Sequence, residues 1–416
     1  MRLIVNFLMM AVCVWGQAKA QDFQIGGASD TVTAIPLEIR PSLGLFVQGY
    51  VNGHGPYRFN LSIAGHTMLT PAVVHEAGLA EEDNGVAVTA FSNQFHQSYR
   101  LHGAFLLLGD RKLSLDGAQV YSDRDLSAYV PVSNYGGQLG VELFRNQVVQ
   151  IDQSHGQLIL SSGMNIIHAP DAIELSLDQS AVGAEMDRMP SIKLLLDGQP
   201  GKFRVNFGNG AVNFLENSPL GRELLGKSLH QISSLTWTPD GIVAEKTGAV
   251  GQIEIGGYPL GPNSIARSID PPSPPSGVSR LSRFVLAEPP IDGIIGLRVI
   301  GRFDITIANL AGKAWLERRD SNSFACHGVP RGSFNGTTGF TPWLYKEQAI
   351  VRTLVRGSPA EAAGMQPGDE IVSINDSTIL TYYDHLDATC DVPAPVKVVF
   401  RNALGEHTTV LTPAEL

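Results

Sequence analysis

Two side chains able to do nucleophilic chemistry lie four residues apart in GPYRFNLSIAGHTMLTP, Gly55 to Pro71. Ser62 offers a hydroxyl, and His66 offers an imidazole that could draw its proton. The segment lacks the Gly-x-Ser-x-Gly elbow that presents such a serine on a sharp strand-to-helix turn. A second route to hydrolysis is a pair of carboxylates sharing one proton, one activating a water while its partner donates to the carbonyl. The nearby acids do not supply that pair. Asp292, in IDGIIG, faces Gly136 as its counterpart in the first half of the chain. Asp152 and Asp304 fall in alternating hairpin strands and read as solvated. His54, His75, His96 and His102 lack a metal-ligand spacing such as His-Glu-x-x-His. No phosphate loop or dinucleotide fingerprint occurs, so the sequence calls for no metal and no cofactor.

The elements that position these residues form an internal repeat of long period. One copy opens LFVQGYVNGHGPYRFNLSIAGHTML from Leu45, the other IKLLLDGQPGKFRVNFGNGAVNFL from Ile192. Each reads as an apolar strand, a Gly-containing turn and a second, alternating strand. Aligned, Gly53 falls on Gly198, Phe59 on Phe203, Leu61 on Val205, Ser62 on Asn206 and Ala64 on Gly208. The copies also close alike, as GGQLGVELFRNQVVQIDQSHGQLIL and DGIIGLRVIGRFDITIANLAGKAWL, with Gly140 on Gly296 and Ile151 on Ile307. Each ending predicts a buried strand that stops at Gly, a short helical turn and a hairpin. A mainly β chain follows, with tandem lobes over 21–165 and 166–320. The 44 Gly, 25 Pro and only 17% charged residues fit that class. Asp270 to Gly277, DPPSPPSG, reads as a polyproline-like surface loop, and 321–336 as a linker rich in small polar residues.

Residues 337–416 form a third unit. In IVRTLVRGSPAEAAGMQPGDEIVSIN a strand (Ile350 to Val355) precedes a turn at Gly357, and Ser358 and Pro359 open a short helix as N-cap and first residue. Gly364 stops the helix, and Pro367-Gly368-Asp369 turns into a strand from Glu370 to Asn375. This order resembles the PDZ domain signature. The resemblance implies that a peptide adds as a strand, its C-terminal carboxylate held by backbone N–H groups. The matching loop is Thr337, Thr338, Gly339 and Phe340, which departs from the usual Gly-hydrophobic-Gly-hydrophobic pattern. Pro342 removes an N–H from the receiving strand. The alternative is a PDZ fold that packs on its neighbour and takes no free tail.

The lobes resemble the retropepsin/pepsin-like aspartyl proteases, in the bacterial group with a C-terminal PDZ domain. That resemblance implies a double-lobe β-barrel fold in which each lobe supplies one Asp-Thr-Gly turn, packed by a strand of two apolar residues and a Gly. The packing strands stand here as Gln138-Leu139-Gly140 and Ile294-Ile295-Gly296. The turns read Ser62-Ile63-Ala64 and Asn206-Phe207-Gly208. Neither Ser nor Asn titrates near neutral pH, and the Thr hydroxyl that would lock the turns is replaced by Ile63 and Phe207. The expectation is no catalytic residue: a pseudopeptidase holding a peptide or protein ligand in the interlobe cleft, the PDZ groove or both. The alternatives are an active aspartic-type endopeptidase with a non-standard site and a structural envelope protein.

The N-terminus, MRLIVNFLMMAVCVWGQAKAQ, has Arg2, an apolar run and Ala18-Lys19-Ala20, the pattern of a signal peptide over 1–20. The expectation is export, periplasmic or extracellular, with no stable membrane span after cleavage. Cys326 and Cys390 then remain, either as a disulfide or as two thiols. A formal charge of -10 gives no electrostatic reason to bind nucleic acid.

Overall fold

The computed structural model describes residues 32–414 except 41–42, 63–66, 89–94, 122–129, 131, 145, 163–167, 180–187, 208–211, 215–217, 228–230, 239–240, 270–290, 310, 320–337, 347 and 382–394. The signal segment, DPPSPPSG, the linker, Ile63, Ala64, His66, Gly208, Thr337, Cys326 and Cys390 lie outside the described residues. No helix among those described is long and apolar enough to cross a membrane.

The protein is mainly β, and its two lobes repeat the same construction. In the first, strands Gly44–Val51 and His54–Ser62 form a hairpin. In the second, Arg188–Leu196 and Gln199–Val205 do the same. Asn52-Gly53 and Asp197-Gly198 make the turns, all four residues at positive φ (47°, 87°, 50° and 77°). Asn-Gly and Asp-Gly are the pairs that tolerate this two-residue geometry, whose twist matches the flanking strands. Alternation then buries Tyr57, Phe59 and Leu61 in one lobe and Phe203 and Val205 in the other. Burying each large apolar side chain contributes about 1.5–3 kcal/mol.

A crossing strand follows in each lobe. Tyr135–Gly140 runs parallel to His54–Ser62, pairing Leu139 with Leu61 and Gly140 with Ser62, and antiparallel to Met68–Leu69 on its other side. Gly293–Ile295 likewise runs parallel to Gln199–Val205, pairing Ile295 with Val205, and antiparallel to Val212–Phe214. The crossing is tight enough that a Cβ on Gly137, at φ +137°, would lie 2.0 Å from the Met68 carbonyl oxygen. Only glycine fits there.

The lobes share a central antiparallel sheet. Its order is Val32–Arg40, Gln157–Ser161, Val148–Asp152, Phe303–Ala308, Lys313–Arg318 and Ile173–Gln179. The sheet is symmetric about the pairing of Val148–Ile151 with Ala308–Ile305. Each outer strand continues into its own lobe: Leu37–Arg40 pairs with Val47–Gly44, and Ser176–Gln179 with Ser191–Arg188. One apolar core runs from Leu37 and Leu61 through Ile151 and Ile305 to Phe203 and Phe207.

The C-terminal unit has strands Phe340–Tyr345, Gln348–Val355, Glu370–Ile374, Val396–Asn402 and Gly405–Leu411. They enclose a separate core that includes Val351, Ala360, Met365, Ile374, Val398 and Phe400. The short helix Pro359–Ala362 is capped as the sequence implies. Ser358 Oγ accepts from Glu361 N–H at 3.2 Å, and Gly357 N–H donates to Glu361 Oε2 at 2.6 Å. Pro342 is accommodated by a register shift between Thr341 and Pro342. The unit also packs on its neighbour: Gln348–Val355 adds to Gln231–Thr238 of the second lobe.

Candidate functional site

Strand register sets Ser62 and Asn206 on equivalent positions. Ser62 ends its strand opposite Gly140. Asn206 follows Val205, its N–H donating to the Ile295 carbonyl at 2.9 Å, which places it beside Gly296. This is the pairing that the internal repeat predicts. Both side chains are half-buried. Among the described residues at the two turns, neither position carries a carboxylate.

Phe207 is fully buried and belongs to the core that spans both lobes. Its backbone crosses to the first lobe, where a Cβ on Gly44 would come 3.3 Å from the Phe207 carbonyl oxygen. Beside the paired Leu61 and Leu139, a small cavity is lined also by Phe144, Val149, Ile151 and Ile307. Such a space stays dry, because a water there would find no polar partner.

Thr67 was missed by the sequence reasoning. It is buried, and its Oγ1 accepts from Gly140 N–H at 2.9 Å, tying the segment after the first turn to the crossing strand. Its signal in sequence was only a Thr five residues after Ser62. Thr70 caps the helix Pro71–Glu76, accepting from Val73 N–H.

Asp292 is a structural residue. Its Oδ1 accepts from Ser218 Oγ at 2.9 Å, and its Oδ2 from Lys202 N–H at 3.0 Å. Asp152 and Asp304, expected in solvent, are instead largely buried at the lobe junction, with side chains 13% and 17% exposed. The reason is the central-sheet register: with Ile151 paired antiparallel to Ile305, Asp152, which follows the one, and Asp304, which precedes the other, come to the same end of the sheet. Asp304 accepts from Gln153 N–H at 2.8 Å and Ser154 Oγ at 2.7 Å, and Arg319 lies 3.5 Å away. Asp152 pairs with His155 at 2.8 Å.

Burial holds the Asp304 carboxyl above the usual range, with the Asp152 charge adding to the rise and Ser154 and Arg319 opposing it. Burial also raises Glu317, its cross-strand neighbour. A raised folded-state pKa means that the folded protein holds the proton more tightly than the unfolded chain. The resulting stabilisation is complete below the ordinary values of 3.8 and 4.5 and is lost as pH rises through the folded-state values. Thermal melting should therefore show a contribution that declines from acid toward neutral pH. Asp304→Asn should flatten that decline. A variant with the same slope as the parent would contradict this account.

In the C-terminal unit, Thr338, Gly339 and Phe340 lie where the resemblance puts a carboxylate loop. Thr338 and Gly339 carbonyls accept from Ala360 and Val355 N–H at 3.0 and 2.7 Å, which orients the loop. Gly339 sits at φ +88°, and a Cβ there would lie 2.0 Å from that of Ser358. Only glycine allows that approach.

Residues 350–392 match the family model for the PDZ domain. Among solved structures, the chain is similar to an aspartic proteinase from Irpex lacteus at 11% identity and a TM-score of 0.40, covering 70% of this chain and 98% of that one. No curated protein matches.

Proposed function

We propose that this is an exported, catalytically inactive relative of the two-lobed aspartyl proteases that binds peptides or protein partners. The observation that carries the reading is the shared register of Ser62 and Asn206, two groups that do not ionise near neutral pH. A hydroxyl and an amide can hold a water but cannot take its proton. The peptide route we favour is the edge of Phe340–Tyr345, with the C-terminal carboxylate at Thr338, Gly339 and Phe340, and with Thr337 completing the loop. Backbone pairing would supply affinity there, and side-chain pockets would supply selectivity. A structural envelope role is favoured instead by the burial of Phe207 in a core continuous between the lobes.

Two peptide pools test the binding reading, one with free C-termini and one amidated, each offered to the full mature chain. The expected result is capture of the free-acid pool alone. Gly339→Val should cut that capture roughly tenfold or more, since closing a backbone carboxylate site removes charge-assisted bonds each worth about 1.5–3 kcal/mol. Equal capture of both pools, or capture of neither, would reject the loop as the site.

A further inference from the structure

We infer that the C-terminal domain is a strap across the two lobes, seated in cis on the outer edge of the second lobe's long hairpin. Tyr258–Ile269, Gly241–Ile255, Gln231–Thr238, Gln348–Val355 and Phe340–Tyr345 form one continuous antiparallel run of strands through lobe and C-terminal domain. Its junction pairs Ser234 with Val355, Leu235 with Leu354 and Thr236 with Thr353, and Arg356 N–H extends it to the Ser233 carbonyl at 2.9 Å. The hydroxyls of Thr236 and Thr353, both buried, lie 3.0 Å apart.

Side chains close the same junction. Trp237 meets Tyr345 edge-on at 4.6 Å between ring centres and leans on Trp343 at 6.3 Å. The Arg352 guanidinium covers Trp343 at 4.4 Å. Trp237 also lies so close to the Pro367–Asp369 turn that a Cβ on Gly368 would come 2.8 Å from it. The second arm reaches the first lobe, where Leu43 packs against the C-terminal core. Leu43 precedes Gly44, where a Cβ would come 3.3 Å from the Phe207 carbonyl oxygen, so this contact lies one residue from the approach between the lobes.

The first lobe shows what the strap covers. Its corresponding hairpin strand, Ala80–Val88, pairs with Phe95–His102. The equivalent edge of the second lobe is occupied by the chain's own strand. An unpaired edge is a template for any extended chain. With the strap seated, no extended peptide can pair along the Gln231–Thr238 edge opposite Val355 to Thr353, and the hairpin cannot lift without the C-terminal domain.

The test uses the full mature chain and needs no ligand. In a background with Cys326→Ser and Cys390→Ser, Thr236→Cys and Thr353→Cys place two thiols on facing positions of an antiparallel pair, a separation that a disulfide spans. Diamide should link them within the monomer, read as a joined peptide by mass spectrometry. Separately, Trp237→Ala with Leu43→Asp should speed amide exchange of 231–238 and 348–356 by roughly tenfold or more, leaving 396–411 slow because that core is the domain's own. Three outcomes overturn the strap: no intramolecular disulfide, unchanged exchange in the double variant, or loss of protection across 396–411. A seated strap without peptide capture would reject only the binding proposal; capture without a strap would reject only this one.

Discussion

Unfolded casein incubated with residues 21–416 is expected to remain intact from about pH 3 to pH 7, the range over which a shared carboxylate pair works. The effect at stake is large, since enzymes accelerate their reactions by roughly a millionfold or more. Ser62 and Asn206 hold the two equivalent strand ends, and neither forms an anion near neutral pH. The variant combining Ser62→Asp and Asn206→Asp restores two carboxylates but not the polar grip of the turns. It should reach only trace cleavage, because Phe207, a fully buried apolar residue, stays beside the second carboxylate and offers it no hydrogen bond. Cleavage by the unmodified chain that survives repurification would end the pseudopeptidase reading and would require an acid pair elsewhere.

Truncating Phe207 to Ala should destabilise the protein by about 3–5 kcal/mol, the usual cost of emptying a fully buried aromatic site. The ring belongs to the core continuous between the lobes. The backbone beside it is held against Gly44 of the first lobe, so the surroundings cannot collapse freely into the space. Urea unfolding of parent and variant measures the difference. A loss below about 1 kcal/mol, the size of an ordinary surface or minor core change, would show that the Phe207 ring is not a core side chain. The same experiment on Phe207→Thr measures what a hydroxyl costs at this position. A hydroxyl without its partner across the interface would be buried unsatisfied, adding about 1–3 kcal/mol to the cavity cost.

The strands, the tight turns and the internal symmetry are legible in local stretches of sequence. Asn52-Gly53 and Asp197-Gly198 declared their hairpins because few residues tolerate positive φ in succession. Ser358, Pro359 and Gly364 declared a helix by its ends, where capping chemistry is local. The equivalence of Ser62 and Asn206 was also legible, since matching alternation carries register from one copy to the other. All of these are properties of a few neighbouring residues. What the tertiary structure alone decided are the contacts between strands far apart in the chain. Asp152 and Asp304 looked solvated because an alternating hairpin has one outward face; they became buried only when Val148–Ile151 paired with Ile305–Ala308, more than 150 residues away. The seating of Gln348–Val355 on Gln231–Thr238, and the Trp237 contact that holds it, had no local signal either. A strand's periodicity says which face it buries, but both of its edges carry the same N–H and C=O groups. The partner is therefore chosen by the shape of the whole assembly, which no short stretch of sequence encodes.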